Sequence, residues 1–507
     1  MNPEQHESKG YLRRLLSGSF FSIINLLIGV TLSFFMAPIM MHTLGERHYG
    51  IWTLAASFTG WYALLDLGIN QAVSRFFTKS FSTADRENCN IFASTGFALF
   101  FLLGVIGFCC SLGIGLGAYR LFPNVEDIDL LSLVIIMFGV SFALDFILRA
   151  FYGVTTGSMR HDMVGVANIT FRVAGALTTY LILIQGGRLI ALGIGNIVLM
   201  VIQVYVYYLL AKKAYPPLQI TWNNVRKSHV KSLFGYSVFG FIAQIGDIII
   251  YGIDNQVIAG VISLNAVAHY AIAMTLVNNY KGLLMSTSSW MVTWLTLLDA
   301  LGEREKLVTS MFFGYRFGAY LSGFITFGLI FWSEPFITRW MGPAFLDAVP
   351  PLIALVFAAT IQAVQEPNIR FLYATSNHRY FALSNILEGL LNLEISLILA
   401  PQLGMVGVAI GTLIACIITR GILLPIFVCR LLNINLFIYY LRISWYLLRV
   451  CVALVLPWMI TEWLVGPNYP RLFLVGGLSA VCYFPIIYYI GLSKSDRQMI
   501  REFLFKK

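Results

Sequence analysis

Long apolar runs recur along almost the whole chain, and they leave it few ways to fold. A helix crossing hydrocarbon needs roughly 20 apolar residues. About fourteen runs reach that length: 17–41, 50–76, 89–118, 128–152, 163–184, 188–211, 234–261, 266–298, 309–332, 348–373, 381–400, 404–429, 443–465 and 471–492. Each is too long for a barrel strand, and none alternates polar and apolar residues as barrel strands do. Backbone amides in lipid must find partners within their own segment, so the runs are expected to be helices. Composition agrees: 58% of the 507 residues are hydrophobic and 11% are charged, against roughly 25% charged in soluble domains. The first run follows Lys9, Arg13 and Arg14. It is too long for a signal peptide and has no small-residue cleavage site, so it reads as a retained span.

Charge outside the runs sets the expected orientation. With the N-terminus inside, 21 Lys and Arg fall on one side, from Lys9 to Lys507, and five on the other: Arg47, Arg120, Arg188, Arg339 and Arg471. Positive loops stay cytoplasmic, so both termini are expected there, with an even number of spans. The net charge of +10 is thereby explained by loops, and nucleic acid is not expected as a partner. The seven cysteines and seven histidines have neither disulfide nor metal spacing. No metal site, catalytic residue or tightly bound cofactor is expected, although coupling to H⁺ or Na⁺ is open.

The two halves of the sequence repeat. Asp145-x3-Arg149-x2-Tyr152 returns as Glu366-x3-Arg370-x2-Tyr373, 221 residues later; Tyr62 matches Tyr280, and Gly193–Asn196 matches Ala409–Thr412. The expected organisation is a lobe of six spans over 1–211, a basic cytoplasmic linker over 212–233, a second lobe over 234–430, and two added spans with a basic tail over 431–507. Parallel repeats of this kind place a substrate path at their interface.

Eight basic residues lie within the runs (Arg75, Arg149, Arg172, Lys281, Arg316, Arg370, Arg420, Arg449), with seven acids (Asp66, Asp145, Asp247, Asp254, Glu366, Glu388, Glu394). A charge at the centre of a span costs roughly 2.5–3.5 kcal/mol on insertion scales, so these groups pair or line a hydrated cavity. Arg75 and Arg449 lie near cytoplasmic ends, where they can snorkel. Asp145 with Arg149, and Glu366 with Arg370, have the i,i+4 spacing of intrahelical pairs. Their repetition also allows a cytoplasmic gate, in which charge reversal at Arg149 would be rescued from the other half. Arg172, Lys281, Arg316 and Arg420 are the candidate cavity cations for an anionic substrate. Asp66, Asp145, Arg149, Glu366, Arg370 and Glu388 are candidates for gating or charge balance. Asp247 and Asp254, seven apart on one helix face, are candidates for ion coupling.

The stretch LGERHYGIWTLAASFTGWYALLDLGINQAVSRF, Leu44 to Phe76, resembles the second-helix region of polysaccharide and O-antigen flippases. These belong to the multidrug/oligosaccharidyl-lipid/polysaccharide exporter superfamily. The resemblance rests on Leu44, Gly45, Tyr49 and Gly50, then Asp66-Leu67-Gly68, with VAHYAIAMTLVNNYKGLL at 267–284 in the second half. It implies an all-α, polytopic fold of two pseudo-symmetric six-helix lobes, of the multidrug-extruder type, plus two C-terminal helices. It implies alternating-access translocation of undecaprenyl-diphosphate-linked oligosaccharide across the bacterial inner membrane, for O-antigen, capsule or exopolysaccharide synthesis. A polysaccharide polymerase and co-polymerase are implied as partners beside the lipid-linked oligosaccharide and the bilayer. Rival readings are a multidrug extruder, for which 17–41 lacks the usual acid, and a lipid II flippase. An enzyme fits worse: the largest external loop, 333–348, is small, and Asp127-Ile128-Asp129 lies on the wrong side for a nucleotide-sugar metal site.

Overall fold

The computed structural model describes residues 3–491 apart from 67–68, 124, 126, 232, 234–251, 289, 376 and 465–468, together with Arg497; in the first helix, side chains are described from Ile24 onward. The described secondary structure is helical throughout. In chain order the helices are α1 (Pro3–Leu44), α2 (Glu46–Tyr62), α3 (Ile69–Ser82), α4 (Arg86–Leu116), α5 (Ile128–Gly157), α6 (His161–Ile184), α7 (Leu189–Ala214), α8 (Asp254–Val261), α9 (Leu264–Ser288), α10 (Trp290–Ala300), α11 (Arg304–Phe331), α12 (Ser333–Trp340), α13 (Val349–Ala374), α14 (His378–Leu403), α15 (Met405–Cys416), α16 (Leu424–Leu432), α17 (Leu436–Leu464) and α18 (Tyr469–Ile486). One-turn pieces join some of them.

Among the described residues nine helices are long and apolar enough to cross a membrane, or ten if α11 and α12, bent by 62°, form one span. The sequence gives a higher count in part because one run is not a single helix and parts of others lie outside the described residues. Run 50–76 divides into α2, a 3-10 turn over Ala63–Asp66, and α3. In run 266–298 the residue between α9 and α10 lies outside the described residues, and so does most of run 234–261.

The chain forms two compact units, Met1–Ala268 and His269–Lys507. In the first, α4 packs on α5, α5 on α7, and α1 on α6. Its core at one end gathers Phe77, Phe151, Tyr207 and Tyr215 around Cys89 and Ala93. In the second, α14 packs on α15, α13 on α15 and on α11, and α17 on α11 and α18. Gly404 lets α14 and α15 form a tight hairpin: it adopts φ +60° as the cap shared by both helices, a conformation that favours glycine.

The linker after α7 is not a loose tether. Asn90 Oδ1 accepts from Gln219 N at 2.9 Å, and Asn90 Nδ2 donates to the Pro217 carbonyl at 3.2 Å. One turn further along α4, Ser94 Oγ donates to the Gln219 carbonyl and accepts from Thr221 N, both at 3.2 Å. Trp222 then meets the Phe101 ring, and His229 returns to Asn88 at 3.2 Å and to the Phe92 ring. Polar side chains one turn apart on α4 thus hold an extended segment, satisfying backbone groups that would otherwise need water.

Candidate transport site

The helix break at Asp66 organises the charges of the first unit. Asp66 Oδ1 accepts from Asn70 N at 3.2 Å, capping the first turn of α3, as a carboxylate at a helix start does. Its other oxygen meets Arg149 Nη1 at 2.6 Å, while Arg149 Nε reaches Asp145 at 2.9 Å. Arg149 also lies over the Phe146 ring. The i,i+4 pair expected from the sequence forms, and a third member joins it from another helix. Asp66 is 9% exposed, so a guanidinium shared between two carboxylates balances the burial of its charge.

The second unit repeats this arrangement with one change. Arg370 binds Glu366 at 2.5 Å and approaches Ser288 Oγ at 3.5 Å. Ser288 lies 222 residues after Asp66, against 221 between Arg149 and Arg370. Each unit therefore brings the second run of its repeat against the arginine of its fourth. A carboxylate stands at the first contact and a hydroxyl at the second. Spacing alone could not reveal Ser288, because a lone serine in an apolar run carries no periodic signal.

Arg172 lines a pocket of about 530 Å³ bounded by α1, α2, α6 and α7. Its guanidinium lies over Gly29, where a Cβ would come within 1.9 Å of Nη1, and Nη1 donates to the Asn25 carbonyl at 3.1 Å. Asn25, Asn168, Asn196, Gln203, Thr178 and Trp52 share the lining, and among the described residues no carboxylate does. Tyr207 donates to Asn168 Oδ1 at 2.6 Å, leaving the amide N–H donors of Asn168. Asn196 Nδ2 donates to Ser141 at 3.0 Å, leaving its oxygen as an acceptor. Trp52 is held edge-on by Phe138. A fixed cation, donors, acceptors and an aromatic face suit a polar anion with hydroxyl groups. The carboxamides were missed at the sequence level, although Asn168 and Arg172 stand four apart, and Asn196 and Gln203 seven apart, on helix faces.

The other candidate cations have different surroundings. Arg420 is only 3% exposed. Its Nε binds Glu388 at 2.5 Å, an Nη bonds Asn385, and its guanidinium lies over the Phe381 ring. Glu388, 1% exposed, also accepts from Thr419 at 3.1 Å and from Gln362 at 3.3 Å. Arg420 was expected to line a cavity, but Glu388 takes its charge inside the helix packing. The two form a satisfied buried pair, with Glu388 in the expected role of charge balance. Arg420 sits in a π-helical segment, Ile417–Leu423. Pro425 has no N–H for the Gly421 carbonyl, and the Tyr440 hydroxyl supplies the missing bond at 2.7 Å.

Lys281 is half-buried and within electrostatic reach of Cys416, beside that pair. Arg316 lies over the Tyr446 ring in a groove of the second unit. Asp254 is 3% exposed at the start of α8, while Asp247 lies outside the described residues. Arg75 is exposed on α3, opposite the buried Val73 and Phe77.

All-helical units with apolar spans, paired charges within them and a polar pocket define a multi-pass membrane protein. Sequence comparison makes the class specific. The family described as "Polysaccharide biosynthesis protein" matches residues 15–292, and the chain belongs to that family. It is similar to the uncharacterized membrane protein EpsK of Bacillus subtilis (strain 168), with 22% identity over 490 residues, 94% of this chain and 95% of that one. Its fold is similar to that of the lipid II flippase MurJ in an inward closed conformation, with TM-score 0.71 and 16% identity over 93% of this chain and 99% of that one. It is also similar to an inward-facing multidrug resistance MATE transporter of the MOP superfamily, with TM-score 0.69 and 14% identity over 81% and 98% of the two chains.

Proposed function

We propose that the protein flips undecaprenyl-diphosphate-linked oligosaccharide units across the bacterial inner membrane by alternating access, supplying a cell-surface polysaccharide. The observation that carries this reading is the pocket around Arg172. A guanidinium in a span without a carboxylate partner among the described residues is costly, and a phosphate group would compensate it through paired hydrogen bonds. Asn168, Asn196 and Gln203 offer the donors and acceptors that sugar hydroxyls need, and Trp52 offers a face for a sugar ring. In this reading both termini lie in the cytoplasm, as the loop charges favour. The lobes exchange access by rearranging around the arginine clasps, and the polyprenyl chain stays in lipid. Polymerase and co-polymerase receive the flipped unit outside, and ion coupling, where present, falls to Asp247 and Asp254.

The test is translocation in proteoliposomes of a fluorescent polyprenyl-diphosphate oligosaccharide, comparing the native chain with Arg172→Gln and Arg172→Lys. The glutamine variant is expected to lose most of the flipping rate, and lysine to restore part of it, because lysine keeps the charge without the fork. Equal rates for all three would overturn the assignment of Arg172. No flipping by the native chain, with export of organic cations instead, would overturn the function.

A further inference from the structure

Four of the acids within spans are held by arginines of their own unit: Asp66 and Asp145 by Arg149, Glu366 by Arg370, and Glu388 by Arg420. Glu394 is not. It stands on α14, a helix long and apolar enough to cross a membrane, and its side chain is exposed. Among the described residues it makes no hydrogen bond and no ion pair.

The other polar side chains along this stretch of α14 point inward. Ser384, Asn385, Glu388, Asn392 and Ser396 are buried, and Asn392 Oδ1 accepts from Ser396 and from Thr412 of α15, both at 3.1 Å. The opposite face exposes Leu383, Leu387, Leu390, Leu397 and Ile398, as a face turned to lipid does. Glu394 falls within that stripe, four residues after Leu390 and three before Leu397, the spacings of a single helix face. A carboxylate thus interrupts a run of leucines.

Depth limits what can meet it. At 1.5 Å per residue, Glu394 lies about 24 Å from His378 and about 14 Å from Leu403, the two ends of α14. Its short stem cannot carry the carboxylate that far to water, the escape open to Lys and Arg near span ends. An ammonium on a lipid headgroup stays at the surface. A charge in hydrocarbon is costly unless paired, so the partner must bring a cation to the same depth. A helix is the element that can do so, because it satisfies its own backbone in lipid. A second copy of this chain fits less well: a two-fold contact through this face sets Glu394 against its own equivalent, and like charges repel.

We propose that the exposed face of α14 docks a transmembrane helix of another membrane protein, with an arginine or lysine of that helix paired to Glu394. Lipid tails pack against leucine as well as another helix does, so the ion pair decides which helix binds and in what register.

The test is fluorescence energy transfer in phosphatidylcholine proteoliposomes between the labelled full-length chain and labelled synthetic transmembrane peptides. The host peptide is a run of about 20 leucines and alanines, carrying either one arginine about 14 Å from its end or leucine at that place. The native chain is expected to bind the arginine peptide about tenfold more tightly, equivalent to about 1.4 kcal/mol and typical of interhelical polar contacts. Glu394→Leu should erase the preference, and Glu394→Lys should transfer it to a peptide with glutamate in place of the arginine. Glu394→Leu should not lower the thermal midpoint, which separates loss of binding from loss of fold. Equal binding of both peptides by the native chain, or an arginine preference that survives Glu394→Leu, would overturn the inference. So would self-association of the native chain that Glu394→Leu abolishes, which gives the face to a second copy. Loss of peptide binding when phosphatidylethanolamine replaces phosphatidylcholine would overturn it too, by giving the carboxylate to a lipid amine.

Discussion

The most searching perturbation is neutralisation of Glu388. Glu388 and Arg420 are 1% and 3% exposed, and their 2.5 Å contact anchors a network with Asn385, Thr419 and Gln362. Glu388→Gln keeps the shape of the side chain and strands a guanidinium away from water. Breaking such a pair by removing one partner costs about 3–5 kcal/mol, whereas replacing both partners with apolar groups is often nearly neutral. Arg420→Met with Glu388→Leu still strips hydrogen bonds from Asn385 and Gln362, at about 1–3 kcal/mol for each buried group left unsatisfied. Thr419 retains its bond to the Ala415 carbonyl at 2.8 Å. The double variant should therefore be at least as stable as Glu388→Gln alone, although it changes more atoms. The assay is the thermal midpoint of the detergent-solubilised chain, followed by loss of the monodisperse size-exclusion peak. A native-like midpoint for Glu388→Gln, or a double variant below both singles, would refute the argument. Because Arg420 is engaged by protein, the double variant should also flip substrate at close to the native rate wherever it folds.

Gly29→Ala tests Arg172 without touching its charge. The new methyl would meet Nη1 at 1.9 Å, so the guanidinium must swing away and lose its bond to Asn25. Flipping should fall about ten- to a hundredfold, the equivalent of one charge-assisted hydrogen bond, while the melting point hardly moves; an unchanged rate would contradict the pocket. At the helix break, Arg149→Glu should be rescued by Asp66→Arg within the same unit, read as recovered expression and melting temperature, and absence of rescue would dissolve the clasp. His229 gives a pH dependence. Its burial against Phe92, with Arg226 nearby, holds its pKa below the ordinary value of 6.5. The docked imidazole is therefore harder to protonate than a free one, so the linker's stability is full above that value and falls as pH drops below it. The protection factors of residues 215–231, exchange rates divided into the intrinsic rate at each pH, should fall between pH 7.5 and 5.5 in the native chain, and the fall should vanish in His229→Gln.

The helical class and the repeat were legible because they rest on long windows: apolar run length, and motifs recurring at nearly constant offset. The i,i+4 pairs were legible for the same reason, since helix geometry alone makes Asp145 and Arg149 neighbours. What spacing could not supply was which helices meet. Asp66 looked like a separate cavity charge until α5 brought Arg149 against it. Arg420 looked like a cavity cation until α14 supplied Glu388. The break within 50–76 was hidden because α2 and the turn after it are as apolar as an unbroken span.

The Asp66 carboxylate has a mechanical consequence. One oxygen begins α3 and the other grips α5, so a single side chain pins a joint in the membrane. Flexing at that joint must first release Arg149, at about 1.5–3 kcal/mol for a bond to a charged group. The joint therefore acts as a latch, and its release sets how often the first unit can change shape. In the second unit Ser288 stands where the carboxylate would be. The contact there is lighter, at 3.5 Å, and the two units need not yield together.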